Sequence, residues 1–168
     1  MYELTTLDNG LRIVTVAMPQ AYSVSAGFYI GVGSRYEEDA EAGASHFIEH
    51  LLFKGTERRR TPRDIALAIE GVGGSINAST GREVTSYYAR VARPDFSLAA
   101  DVLADMLLNS RFLPTDVERE AQVIVEEINE SQDIPDDIVF LEAQKILYPH
   151  HALGRDIAGT RESVRALN

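Results

Sequence analysis

Alternating apolar and polar residues mark several short stretches of the chain, and this pattern predicts β-strands. The segment "LTTLDNGLRIVTVAM" alternates on both sides of Asn9-Gly10. This dipeptide readily takes positive φ angles, so the segment predicts a hairpin. "YSVSAGFYIGVGS" predicts a further strand, and "SINAST" with "EVTSYYARVA", separated by Gly81-Arg82, predicts a second hairpin.

Helical spacing of apolar residues predicts the remaining elements. Residues 44–54 form a helical run that Gly55 ends, and Thr61-Pro62 supplies an N-cap and an N1 proline for the next helix. Three further helices are predicted beyond Pro94, the second of which, "TDVEREAQVIVEEINES", is expected to open with a capping box from Thr115 to Glu118. Strands and helices are mixed in the first part of the chain and only helices follow. This order predicts an α+β fold with a mixed, largely antiparallel sheet packed against helices. Without repeats or a low-complexity linker, residues 1–168 are expected to form a single domain.

Charge and composition restrict the possible partners. The 168 residues carry a formal net charge of −10 and no cysteine. An acidic chain repels nucleic acid and anionic membrane surfaces and favours cationic ligands, and a metal ion would have to be held by His, Asp or Glu. The N-terminus lacks the features of a signal peptide and no segment predicts a membrane span, so a cytoplasmic location is expected. The basic run "ERRRTPR" is expected to be a solvated loop.

The segment "SHFIEHLLFKGT" combines polar and apolar residues on one predicted helix. At about 100° per residue, one side carries His46, Glu49, His50 and Phe53, and the other, expected to be buried, carries Phe47, Ile48, Leu51 and Leu52. Histidines four residues apart lie one turn above each other and can reach a single cation. The pattern is the inverted form, H-x-x-E-H, of a metallopeptidase motif.

A catalytic zinc site usually has three protein ligands, so this pair needs a third. His150 and His151 are candidates, but they occupy a predicted loop where neighbouring side chains rarely converge. On the helix "TDVEREAQVIVEEINES", Glu120 and Glu127 both border the apolar stripe, whereas Glu126 points nearly opposite to it. One of the bordering pair could bind metal while the other accepts a hydrogen bond from a ligating imidazole. The residue pattern alone leaves both assignments open.

Several motifs together resemble the zinc peptidase family of pitrilysin, insulin-degrading enzyme and mitochondrial processing peptidase. They are "LDNGLRIVTV", "GVGSRYEE", "SHFIEHLLFKGT", "GGSINAST", "EREAQVIVEEINES" and "HALGRDIAGTRESV". In that family 76 residues separate the second histidine from the third ligand, a glutamate, which corresponds to Glu127. The resemblance also implies that Glu120 supports the site. In the family's processing-peptidase-like branch, to which bacterial members of this kind belong, the positions of Asn77, Ala78 and Ser79 form a strand edge that binds substrate.

The resemblance implies a zinc-dependent endopeptidase with one zinc ion per chain and Glu49 as the general base. Its substrates are expected to be extended or unfolded peptides. Cationic peptides are expected to be preferred, because the chain carries a negative net charge. Family members have two similar halves with the zinc site in the first, so residues 1–168 would be most of an N-terminal half. A complementary C-terminal half or partner subunit would supply an arginine and a tyrosine. The alternative is a non-catalytic peptide-binding or partner subunit of the same fold.

Overall fold

The computed structural model describes residues 1–167, so Asn168, the last residue of the predicted domain, lies outside the described part. The five strands are β1 (Glu3–Thr6), β2 (Arg12–Thr15), β3 (Ser23–Ile30), β4 (Ser75–Thr80) and β5 (Thr85–Ala92). The six α-helices are α1 (Ala44–Leu52), α2 (Pro62–Glu70), α3 (Phe96–Asn109), α4 (Pro114–Asp133), α5 (Pro135–Leu147) and α6 (Arg161–Ala166). None of the helices within residues 1–167 has the length and apolarity needed to cross a membrane.

The strands form two sheets, and within each sheet all neighbouring strands are antiparallel. β1 and β2 form a hairpin, while a three-stranded sheet has the order β3-β5-β4. In the second sheet Asn77 of β4 lies opposite Tyr88 of β5. Both predicted hairpins and the α+β class are therefore confirmed. β4 lies at an edge, because β5 is its one partner strand among the described residues.

One hydrophobic cluster fills the space between the three-stranded sheet and two helices. β5 presents alternate residues to it, among them the fully buried Tyr87 and Ala89. These pack with α2 and α3 through Ile65, Ile69, Ala99, Val102, Leu103 and Met106. The cluster also includes Leu52 at the end of α1. The end of α1 is thereby fixed against the sheet.

A second cluster joins α1 to the later helices. Its buried members are Phe47, Leu51, Ile124, Val125, Ile128 and Val164. Ile48, predicted to be buried with the apolar side of α1, is instead 45% exposed. It lies one turn before Leu52 on the same side of the helix but belongs to neither cluster, so the prediction of its burial was wrong.

The start of α4 also differs from the prediction. The helix begins at Pro114, and its N-cap, Leu113, provides no side-chain hydrogen bond. Proline has φ fixed near the helical value and lacks an N–H group, so it starts the helix one residue before Thr115. Thr115 is thus already inside the helix, and the predicted capping box was wrong. The N-cap predicted at Thr61 is confirmed, with a capping box that Asp64 completes.

The basic run at residues 57–63 is less solvated than predicted, because two of its arginines bind a buried aspartate. Asp105 of α3 is 1% exposed and accepts hydrogen bonds from Thr56 Oγ1 at 2.7 Å, Arg58 Nε at 3.0 Å and Arg59 Nη1 at 2.6 Å. The Arg59 side chain is only 15% exposed. These contacts fasten the segment that follows α1 to α3.

Burial by itself raises the pKa of Asp105, but hydrogen bonds from Thr56, Asn109 and the two arginines outweigh it, so the pKa falls from 3.8 to about 2. A carboxylate whose pKa is lower in the folded state stabilises the fold above its unfolded pKa. That contribution is lost as the pH falls towards the folded pKa.

We expect Asp105→Asn to lower the free energy of unfolding at pH 7 by roughly 2 kcal/mol, the size of the pKa difference between folded and unfolded states. Urea unfolding at pH 7, 5, 4 and 3 measures it. The difference from the wild type should be constant above about pH 5 and shrink below about pH 4. Asp101→Asn, which removes a carboxylate 44% exposed, is the matched control and should cost less. If the free energies of unfolding of the wild type and Asp105→Asn differed equally at pH 7 and pH 3, the lowered pKa of Asp105 would be contradicted.

Candidate metal centre

Helix α1 holds His46 and His50 side by side. The residues are one turn apart, and their ring centroids lie 4.6 Å from each other in an edge-on arrangement. Phe47 and Leu51, which follow the two histidines, are buried in the second cluster. This burial fixes the rotation of α1 and leaves both imidazoles at the boundary of the cluster, each 20% exposed.

Glu127 brings a carboxylate from α4 to the same place. Its Oε2 lies 3.9 Å from His46 Nε2 and 3.6 Å from His50 Nε2. One ligand atom from each of the three residues lies within 4.8 Å of the others. Ligands of a tetrahedral zinc ion at 2.0–2.1 Å are about 3.3 Å apart, and two imidazoles with one carboxylate form a known catalytic set. The donor atoms therefore fit a zinc ion with small adjustments.

Glu120 lies behind His50 and is buried, with 5% of its surface exposed. Its Oε2 is 3.2 Å from His50 Nδ1, and its Oε1 is 2.6 Å from Lys54 Nζ. A hydrogen bond from Nδ1 to this carboxylate keeps the proton on Nδ1 and leaves the Nε2 lone pair free for a metal. The sequence reasoning missed Lys54, although its position four residues after His50 placed it on the same helix face.

Glu49 is half-buried and contacts the edge of the sheet. Its Oε2 accepts a hydrogen bond from the hydroxyl of Thr80, the last residue of β4. One carboxylate oxygen is thus held by the strand. Thr80 was also missed, because nothing in the local sequence indicates that the end of this strand meets a helix 31 residues earlier.

The electrostatics of the pair favour a neutral His46. Burial lowers the pKa of His46, and the nearby His50 lowers it further, while the acidic groups Glu127, Glu49 and Asp156 oppose this. A ligating histidine must be neutral at the donor nitrogen, so the lowered pKa suits a metal ligand. Its Nδ1 atom is buried and has no hydrogen-bond partner within residues 1–167.

The other candidate residues lie apart from these donors. Glu126 is exposed and accepts a hydrogen bond from Asn129. His151 caps a 3₁₀ turn by accepting a hydrogen bond from Leu153 N at 3.1 Å, and His150 has a positive φ of 58°. Neither histidine belongs to the cluster of possible ligands. Residues 77–79 lie within β4, at the open edge of the sheet.

Comparison with known proteins places the sequence among peptidases. Residues 12–161 match the family described as Insulinase (Peptidase family M16). The chain is 49% identical over 166 residues to an uncharacterized zinc protease of Mycobacterium leprae. The matched residues cover 97% of this chain and 36% of that protein. The chain is also 42% identical over 168 residues to an uncharacterized zinc protease of Bacillus subtilis, covering 100% of this chain and 41% of the relative. The chain therefore spans about two fifths of the length of these relatives.

Solved structures share the fold. A protease from Helicobacter pylori superposes with a TM-score of 0.94 at 23% identity, over 100% of this chain and 41% of its own. Pitrilysin superposes with a TM-score of 0.83 at 27% identity, over 98% of this chain and 18% of its own. A structure described as a peptidase M16 inactive domain from Pseudomonas fluorescens has a TM-score of 0.90 at 16% identity, over 99% of this chain and 40% of its own. The fold alone thus does not separate active from inactive domains.

We expect Glu127→Gln to weaken zinc binding severely, because an amide oxygen carries no charge and is a poorer ligand. Glu126→Gln is the matched control and should leave binding nearly intact, since that side chain is exposed and away from the donors. Glu120→Gln should lie between them, with a loss of roughly 10- to 100-fold. Competition titration against a chelating dye measures all three affinities. A severe loss in Glu126→Gln with little change in Glu127→Gln would contradict the geometry.

Proposed function

The chain belongs to the insulinase family of peptidases, and from that premise we propose that it is the zinc-binding part of a metalloendopeptidase that hydrolyses extended or unfolded peptides. The observation that carries the proposal is the convergence of His46, His50 and Glu127, with the carboxylate of Glu49 near enough to His46 to raise its pKa against the effect of burial. Relatives 42–49% identical are named zinc proteases, which supports zinc as the metal.

In this proposal His46, His50 and Glu127 hold one zinc ion, and Glu120 orients His50. Zinc bound by such a set supplies Lewis acidity that activates water and polarises a carbonyl group. The set contains three protein ligands and leaves a position open for substrate or water, as in catalytic zinc sites, whereas structural sites usually close with four protein ligands.

Glu49 moves the proton in the proposed reaction. With one oxygen held by Thr80, the other can accept a proton from the attacking water and later pass it to the leaving amine. The carboxylate does not belong to the ligand set. Its role is therefore separable from metal binding by substitution.

The open edge of β4 supports an extended peptide as substrate. The Ala78 N–H donates to the side-chain oxygen of its neighbour, Asn77 Oδ1, at 2.8 Å. An N–H satisfied in this way can exchange to the carbonyl of an added strand, the general mode of β-strand addition. Because Thr80 ends the same strand and contacts Glu49, a peptide paired along Asn77, Ala78 and Ser79 would pass the proposed base.

The complete enzyme needs further residues in this proposal. The chain spans 36% and 41% of two relatives, which agrees with one half of a two-half peptidase whose other half or partner subunit completes the site. A net charge of −10 favours cationic peptides at low ionic strength.

The competing function is a non-catalytic peptide-binding subunit of the same fold. The same fold occurs in a domain described as inactive, at 16% identity, so the fold is compatible with this function. A subunit without catalysis is expected to have lost parts of the metal motif, and here all parts are present. The peptidase is therefore the better supported of the two functions.

We expect the purified chain to bind about one zinc ion, and His46→Ala or His50→Ala to abolish this binding, because two remaining ligands form no catalytic zinc site. His151→Ala is the control, since that ring caps a turn outside the cluster. Elemental analysis after dialysis gives the metal content. Full zinc content after either α1 substitution would show that the metal binds elsewhere.

We expect Glu49→Gln to retain zinc and bound peptide while hydrolysis falls by at least ~100-fold, because a general base contributes to proton transfer and not to metal affinity. The assay uses the enzyme completed by its second half and unstructured cationic peptides at low and high salt. Rates should decrease as salt screens the charge. A completed wild-type enzyme that binds zinc and peptide but cleaves nothing in a broad peptide library would favour the binding subunit.

A further inference from the structure

The N-terminus of α1 is capped by a side chain from outside the helix. Its N-cap residue, Gly43, has no side chain that could accept a hydrogen bond from the first turn. The carboxylate of Glu37 fills this role: Oε2 accepts from Gly43 N at 2.9 Å and Oε1 accepts from Ser45 N at 2.7 Å. A carboxylate at this end of a helix also interacts favourably with the helix dipole.

The backbone around Glu37 is itself held in place. The guanidinium of Arg155 donates to the carbonyl oxygen of Glu37 and, at 3.2 Å, to that of Ser34. The same guanidinium forms an ion pair with Asp39. Arg155 thereby contacts both ends of the segment 34–39, which carries Glu37. The backbone of Glu37 is thus held by contacts that do not involve the Glu37 side chain.

The first turn of α1 is packed equally closely on its other side. Gly43 has a φ of +95°, and a Cβ atom there would lie 2.5 Å from the carbonyl oxygen of Ala158. Ser163 Oγ donates to Ala42 O at 2.6 Å. With backbone packed against it, this turn has little room to shift while Glu37 holds its amides.

We propose that Glu37 is a positioning residue for the metal centre, acting through the first turn of α1 on His46. The inference rests on the proposed function. His46 is the third residue of α1, in the turn whose amides Glu37 binds, whereas His50 lies one turn further on and is held by Glu120. Helix ends fray when their free amides lose a partner, and α1 has only nine residues. Loss of the cap therefore moves His46 relative to His50 and Glu127.

The test compares Glu37→Ala and Glu37→Gln with Asp64→Ala in the intact protein. Asp64 belongs to the capping box of α2, so Asp64→Ala removes a similar cap from a helix that supplies no ligand. Measured quantities are zinc affinity, the visible absorption of the Co²⁺-substituted protein, and hydrogen exchange of the Gly43 and Ser45 amides in the metal-free protein.

We expect Glu37→Ala to weaken zinc binding on the order of tenfold, to alter the Co²⁺ spectrum and to speed exchange at Gly43 and Ser45. Glu37→Gln should be intermediate, because its single amide oxygen can replace only one of the two carboxylate acceptors. Asp64→Ala should lower stability without changing the zinc affinity or the spectrum.

Two results separate failure of the inference from failure of the proposed function. If Glu37→Ala matches Asp64→Ala in zinc affinity and keeps the wild-type Co²⁺ spectrum, Glu37 is only a structural cap and the inference is overturned while the zinc site stands. If the wild type binds no zinc, or His46→Ala binds it fully, the proposed zinc site is wrong and the inference falls with it.

Discussion

The apolar contact between α1 and α4 is the constraint on which the candidate site depends. Phe47 and Leu51 pack with Ile124 and Ile128, and each is nearly fully buried. Burial of a side chain of this size contributes about 1.5–3 kcal/mol, more than a typical single hydrogen bond, so this contact sets the rotation of both helices. With that rotation fixed, His46, His50 and Glu127, which directly precede the buried Phe47, Leu51 and Ile128, lie along the boundary between α1 and α4.

Two glutamates of α4 lie in different environments along the boundary between α1 and α4. Glu120 is buried between Lys54 and His50, where the ammonium compensates for the loss of water around the carboxylate. Glu127, two turns later, has a side chain 42% exposed and faces both imidazoles. The same residue type therefore gives a fixed hydrogen-bond acceptor at one position and an accessible donor atom at the other.

Helix α1 also links the two hydrophobic clusters, since Leu52 belongs to the sheet cluster and Phe47 to the cluster with α4. Glu49 lies between these two residues along α1 and reaches Thr80 at the edge of the sheet. A strand edge, a carboxylate and a set of donor atoms are brought together because one short helix packs against both layers. The cap from Glu37 and the close packing at Gly43 fix the beginning of that helix.

The sequence alone determined the features that depend on neighbours along the chain. Asn9-Gly10 indicated a hairpin, the i, i+4 spacing placed His46 and His50 together, and helical phase put Glu126 outside. Periodicity did not distinguish Glu120 from Glu127, because both border the apolar stripe. Periodicity also predicted the burial of Ile48 wrongly, and it did not indicate the contacts of Lys54 and Thr80 with the site. The contact between Glu120 and His50 spans 70 residues and that between Thr80 and Glu49 spans 31. Only tertiary packing decides such contacts, because local propensity acts over a few residues, whereas burial depends on which distant surfaces meet.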